Sequence, residues 1–535
     1  MTARGSLALV LHAHLPFVRH TEQEHCAEER WLFEAITESY VPLLQMLRRL
    51  RDEQLPFKIT LSISPTLAAM LHDDLLRERY RGHLESLIAL AHRECERNRN
   101  SSDLLSLSTW YAQLFTETYR LFFDEWHSEL LSVVRRLRDD GALELVATAA
   151  THAILPILQQ TPAAARAQIA IGCDVFRELF AAEPAGFWLP ECAYAPEIDA
   201  LLARQNIRWF VVDSHALALA QPPARGTTLS PCFTPAGPAA FARDAQASRH
   251  IWDAHSGYPG DRSYRDFYRD IGFDLPAPQL APLDHAQGQF TGIKYHRVTG
   301  VNGAKEVYNR GEAVNAARRH AQHFVEQCAA TLHNSDGDSD EPILVAPFDA
   351  ELFGHWWFEG PVFLEYVIRI AAEMDLRLST PTDCLRNNPP LQVVQPAASS
   401  WGERGYFDVW LDEKCAWIYP ELFAAAQKMI ELANRHVQGK THRADEPLRQ
   451  LARELLLAQA SDWPFHIRNG TASEYAARRV RDHLARFHRL AAAIDSGKSE
   501  AGLPLGDSDA AFPRLDWRYF ADCHPERTRG SCFAA

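Results

Sequence analysis

The feature that most constrains this chain is a series of short apolar runs, each ending abruptly in a polar or proline-containing segment. They are SLALVLH (6–12) before AHLPF, FKITLSISP (57–65), ALELVAT (142–148), GFWLPE (186–191), RWFVVD (208–213) and EPILVAPFD (341–349). Apolar runs of this length read as strands buried on both faces. Stretches of helical period separate them, among them VPLLQMLRRLRDE (41–53) and residues 162–182. Parallel strands cannot be joined by tight turns, so this alternation predicts an α/β fold with crossover helices. Polar residues gather where the strands end, and that asymmetry favours a barrel with one functional face.

The rhythm is interrupted in four places. Residues 66–140 are long for one crossover and predict an insertion of several helices. Residues 214–290 are dense in Pro, Gly, aromatics and Arg, and read as a binding insertion. The polar loop NSDGDSDE (334–341) is expected to be solvated, and LRLST (376–380) is a candidate last strand. Beyond about residue 385 the runs are helical, predicting an all-α C-terminal domain over 386–498 after a catalytic region of 1–385. The tail, 499–535, is expected to lie loosely on the surface.

Length allows roughly two to four domains. The 55 basic and 69 acidic residues leave a net charge of −14. That balance argues against nucleic acid or an anionic membrane as partner and suits a neutral or cationic one. The N-terminal run is interrupted by His12 and His14 and is too short and polar for a signal peptide or a span. Ten cysteines without a CxxC pair fit reduced thiols and a cytoplasmic protein.

Candidate chemistry centres on FWLPECAYAPEID (187–199), where Pro190 stops a strand just before Glu191. A Glu after a Pro is by default a surface carboxylate in a turn. Asp349, at the end of another strand, gives it a partner, and two carboxyl groups are what glycosidic chemistry needs. One attacks the anomeric carbon while the other protonates the departing oxygen. A gap of roughly 5–5.5 Å between them goes with retention and about 6.5–9.5 Å with inversion. His12 and His14 form an HxH whose spacing points both to one face. The pair reads as metal ligands completed by Asp349, as contacts for substrate hydroxyls, or as a strand cap and a packing residue. Trp188, Trp252, Trp356, Trp357, Trp401, Trp410 and Trp463 lie in or beside loop-like segments, where flat ring faces can match the C–H faces of glucose.

HAHLP (12–16), WLPEC (188–192), APFDAELFGHWWFEG (346–360) and SDWPF (461–465) resemble the motifs of glycoside hydrolase family 57, most nearly those of its α-1,4-glucan branching enzymes. The resemblance runs from the first strand to about residue 490. It implies a (β/α)7 barrel with helical insertions and a helical C-terminal domain bordering a glucan cleft. It also implies Glu191 as nucleophile and Asp349 as general acid/base, with no metal and no cofactor. His12, His14, Trp252, Trp401, Trp410 and Asp462 would line the substrate cleft. The implied substrate is an α-1,4-glucan such as amylose or a glycogen-like polymer, handled by a monomer or small homo-oligomer. In the family's branching enzymes a loop over the site carries a tip aromatic, typically Tyr. Here the matching stretch GTTLSPCFTPAGP (226–238) offers only Phe233, so either Phe233 substitutes or water enters more readily. The alternatives are an α-glucan hydrolase, a 4-α-glucanotransferase, a metal-dependent carbohydrate deacetylase and a non-catalytic glucan-binding protein.

Overall fold

The structure, a computed structural model, describes residues 5–22, 26–225, 228–253, 257–281, 283, 287–300, 304–335, 341–387, 392–437, 445–496 and 511–522. Its strands are β1 (Ser6–Ala13), β2 (Ile59–Ile63), β3 (Leu143–Thr148), β4 (Gly186–Trp188), β5 (Trp209–Val212), β6 (Cys232–Phe233), β7 (Ala239–Ala242), β8 (Ile343–Asp349) and β9 (Arg377–Leu378). They lie in the order β6-β7-β5-β4-β3-β2-β1-β8, with β9 beside β1. Every pairing is parallel except β6 with β7.

The two ends of this order meet. Arg243, just past β7, forms a parallel bridge with Val345 of β8, and the Asp244 N–H donates to the Val345 carbonyl at 2.8 Å. Setting aside β6 and β9, seven strands close into a barrel. Strand parity divides the apolar residues. Ala8, Val10, Val146, Trp188, Trp209, Val211, Phe241, Ile343 and Val345 fill the interior, while Leu7, Leu9 and Leu11 pack outward.

Two strand expectations need correction. The seventh stave, β7, is AAFA from inside the stretch read as a loop-like insertion. Three small alanines flanked by Pro and Arg carry no β-branched signal, and the barrel supplies the pairing. LRLST contributes only the two-residue β9, which pairs with Ser6 and Leu7 at the start of β1 and is not a stave.

Between β2 and β3 run the helices Pro65–Leu71, Asp74–Arg97, Ser102–Tyr119 and Leu130–Asp139. The C-terminal helices Ile418–Val437, Asp445–Ala458, Asp462–Asn469 and Ser473–Asp495 follow the sequence pattern closely. They dock on the barrel through polar contacts: Thr151 Oγ1 donates to the Leu456 carbonyl at 2.6 Å, and the Ser461 N–H to the His152 carbonyl at 3.3 Å. The tail is not loose where it is described. Phe512, Leu515, Trp517 and Phe520 are buried, and Arg166 donates to the carbonyls of Tyr519 (3.0 Å) and Ala521 (2.5 Å). Most of the expected polar loop, 336–340, lies outside the described residues.

Candidate active site

Parity explains what the barrel mouth presents. In β1 the inward column Ala8, Val10 continues to His12, and in β8 Ile343, Val345 continues to Asp349; His12 and Asp349 are register partners. In β4 the inward residue is Trp188, and the chain then turns through Pro190–Cys192. Glu191 and Cys192 take left-handed backbone conformations, φ 59° and 49°. Such strain costs of order 1–3 kcal/mol per residue and persists only where the surroundings enforce it. Here Cys192 N–H donates to the Leu189 carbonyl, Ala193 N–H to the Pro190 carbonyl, and Trp401 N–H to the Glu191 carbonyl at 3.0 Å.

The Glu191 carboxylate is held by donors. The Trp401 indole N–H reaches Oε2 at 2.6 Å, Ser461 Oγ stands 3.5 Å from Oε1, and His152 Nδ1 lies 3.8 Å from Oε1. Burial pushes its pKa up to about 7, with the Asp462 charge adding to the rise and the Trp401, His14 and Ser461 contacts opposing it. Burial likewise lifts Asp349 well above the usual carboxylate range, helped by the negative charges of Glu351, Glu191 and Asp462. The Asp349 carboxyl thus feels the negative charge of Glu191 across the mouth. A protonated carboxyl facing a carboxylate held by an indole N–H can give a proton on one side of a bond and attack on the other.

His14 and Asp462 form a fixed ion pair. Burial opposes charge on both, yet each holds the other ionised: His14 is raised above its ordinary value and Asp462 lowered to about 2. His14 Nε2 lies 3.0 Å from Asp462 Oδ2, and Nδ1 is 2.9 Å from Ser64 Oγ. His12 is fully buried and neutral, with its pKa lowered first by burial and then by His152 and His14. Its ring stacks on Trp188 (4.7 Å), His152 (4.9 Å) and His14 (5.7 Å). Stacked rings aim their nitrogens side by side rather than at one point, and both His14 nitrogens are already engaged, so this donor set does not fit a metal. Among the described residues no cluster of three or more His, Cys, Asp or Glu could hold one.

The expected aromatic residues divide. Trp401 touches Glu191, and Trp252, 39% exposed, lies edge-on to Trp401 at 5.7 Å. Trp410 is a correction: it is buried among Ile154, Ile157, Ala193 and Val409 and offers no ring face to a cleft. Phe233 is another. It pairs with Ala239, which is in register with Trp209 at the start of β5, so Phe233 sits at the N-terminal end of the barrel. Glu191 and Asp349 follow the C-terminal ends of β4 and β8, at the opposite mouth.

With this geometry in place, kinship can be read. Residues 8–396 match the model of glycosyl hydrolase family 57, and residues 421–520 a model described as 1,4-alpha-glucan branching enzyme, C-terminal. The chain belongs to glycosyl hydrolase family 57. This family 57 chain is 32% identical over 524 residues to a 1,4-alpha-glucan branching enzyme of Thermococcus kodakarensis, covering 91% of this chain and 73% of that protein. It is similar to the solved GH57-type branching enzyme from Pyrococcus horikoshii, with 31% identity, TM-score 0.87 and coverage of 97% and 98%. It is also similar to the alpha-amylase AmyC from Thermotoga maritima, with 38% identity, TM-score 0.88 and coverage of 97% and 99%.

Sequence reading of this family 57 chain missed three site residues. His152 follows β3 in THAILP much as His14 follows β1 in HAHLP, and that parallel was the available signal. Ser461 reaches the site only because the helical domain docks there. Glu351 is buried two residues after Asp349, accepting from the His14 backbone N–H at 3.0 Å and from the Tyr40 hydroxyl. Nothing in the sequence marks it apart from Asp349 itself.

Proposed function

We propose that this protein is a 1,4-α-glucan branching enzyme, a retaining transglycosylase that cleaves α-1,4 bonds and makes α-1,6 branches. The observation that carries the reading is two carboxyl groups, Glu191 and Asp349, raised at the ends of β4 and β8 over one barrel mouth. They occur in a chain whose C-terminal region matches the branching-enzyme model. Glu191 attacks the anomeric carbon, forming a glucosyl ester, while Asp349 gives its proton to the departing 4-oxygen. Asp349, now ionised, takes the proton of an incoming 6-hydroxyl, whose oxygen displaces Glu191. Trp401 holds Glu191 in position. The His14–Asp462 pair sets the field around it, and Trp252 and Trp401 offer ring surfaces to sugar.

The substrate is a neutral α-1,4-glucan, amylose or a glycogen-like polymer, and the setting is glycogen-type polymer synthesis in the cytoplasm. The eight described cysteines are all free thiols, which fits a reducing compartment. No described helix is long and apolar enough to cross a membrane.

One observation favours hydrolysis as a second outcome: with Phe233 at the far end of the barrel, no Phe233 ring is there to exclude water from the ester, and the likeness to an alpha-amylase is as strong as that to branching enzymes. Incubation with amylose, followed by counting α-1,6 linkages against new reducing ends, separates the two. Reducing ends without branches would sink the transferase reading. Glu191→Gln should abolish turnover and Asp349→Asn should lower it about 10²–10⁴-fold, both with unchanged melting behaviour; a fully active variant would remove that residue from the site.

A further inference from the structure

A cavity of about 580 Å³ lies between the helix Glu29–Ala35, the turn at residues 289–290 and the loop entering the helix Ser473–Asp495. Trp31, Phe290 and Tyr475 line it with Arg30, Glu34 and Arg478. Its volume is in the range of ligand sites. Trp31 stacks on His466 at 5.1 Å. His466 stands four residues after Asp462 on one helix, about one helical turn, so Trp31 in the cavity wall packs on a neighbour of the partner of His14.

From Phe290 an aromatic surface continues outward. Phe290 lies 5.3 Å from Phe267 and 5.1 Å from Phe273, and Phe267 stacks on Trp356 at 4.8 Å and 26°. Trp356 is 56% exposed, Phe273 50% and the adjoining Tyr268 78%. The Trp356 N–H donates to the Glu351 carbonyl at 3.2 Å, two residues beyond Asp349. Both ends of the strip are therefore tied to elements that carry the active site.

The strip is held from beneath. The buried Lys294 ammonium sits 4.2 Å from the Phe267 ring centre and 4.6 Å from that of Phe290, an arrangement in which the cation draws on the ring faces. Arg30 donates to Gln289 Oε1 at 2.7 Å and to the Phe290 carbonyl, which anchors the turn. An exposed apolar patch of this kind, rimmed by polar groups, marks a contact site. The cavity that continues the patch is lined by Glu28, Glu34 and Glu474 together with Arg30 and Arg478, so it favours neither polyanion nor polycation and suits a chain of hydroxyl-bearing rings. The net charge of −14 weakens the case for a second copy of the same chain.

We propose that the Phe290–Phe267–Trp356 strip and its adjoining cavity form a distal track for an α-glucan chain, outside the subsites at Glu191 and Asp349. The proposal rests on the α-glucan reading above. Binding at this track raises the effective concentration of a long chain at the mouth, so it selects for chain length. Short oligosaccharides that fill only the mouth gain less from it.

The test uses full-length protein, Trp356→Ala and, as an independent variant at the patch edge, Phe273→Ala. Migration is compared in native gels with and without amylose, and KM is measured for amylose and maltoheptaose. Loss of one ring contact should weaken amylose retardation about three- to tenfold. KM should rise more for amylose than for maltoheptaose. If wild type is retarded and both folded variants are retarded equally, the track is overturned while the functional reading stands. If a variant changes size-exclusion behaviour and leaves retardation untouched, the patch joins two copies and the proposal fails. If wild type is neither retarded by amylose nor active on it, both the track and the glucan reading fall.

Discussion

Trp401→Phe removes one hydrogen bond from Glu191 and little else. The Phe ring retains apolar contact with Trp188 and Trp252, now 5.3 Å and 5.7 Å from Trp401, and the backbone bond to the Glu191 carbonyl is unaffected. The lost indole N–H, 2.6 Å from Oε2, favours the ionised carboxylate. A hydrogen bond to a charged group contributes about 1.5–3 kcal/mol. At about 1.4 kcal/mol per unit, its loss raises the Glu191 pKa by about one to two units. Glu191 starts at about 7, so the ionised half at pH 7 falls about 5- to 50-fold in the variant. Because attack requires the carboxylate, the acidic limb of kcat/KM on amylose should move up by the same one to two pH units. The assay is a pH–rate profile of branch formation for both proteins. An unmoved acidic limb with a uniformly lower rate would show that Trp401 only stacks on sugar, and would refute the assignment of Glu191 as the group that must ionise.

Asp462→Asn should destabilise the fold by about 1.5–3 kcal/mol, because His14 loses the partner of its charge. Asp462 is lowered from 3.8, so its contribution is present above pH 3.8 and fades as pH falls toward 2; His14 is raised from 6.5, so its contribution is complete below 6.5 and fades above it. The gap in melting temperature between wild type and variant should be widest between those values, and a gap independent of pH would argue against the ion pair. Phe233→Ala should cost about 1–3 kcal/mol of stability, since the ring packs on the barrel interior, and leave the ratio of branches to reducing ends unchanged; a changed ratio would place it near the intermediate. Gly354 holds φ +125° with the Glu38 carbonyl oxygen 1.9 Å from where a Cβ would stand. Gly354→Ala should therefore shift the turn after Asp349 and lower kcat, and a fully active, equally stable variant would show that turn to be adaptable.

Much of the barrel was legible because strands buried on both faces must be written in apolar residues, and β1, β3, β5 and β8 were. β7 was not: AAFA lacks the bulk that marks a strand, and it pairs because Val212 and Val345 stand on either side of it. The C-terminal helices were equally plain from their period. Placement in the site was harder. Glu191 and Asp349 could be found because strand ends are local features, whereas Ser461 arrives from 270 positions away along the chain.

By itself, then, the sequence determined most of the strands and helices, that two acids follow strand ends and two histidines share one face, and that the family motifs are present. Those are consequences of local period and parity, which a few consecutive residues carry. Only the tertiary structure decided that Phe233 belongs to the far end of the barrel, that Trp410 is core while Trp401 holds Glu191, and that His152, Ser461 and Glu351 join the site. It also decided the electrostatic surroundings of the site. Burial, the Asp462 charge and the Trp401 N–H act on Glu191 through space, from elements that meet only when the helical domain closes over the barrel mouth.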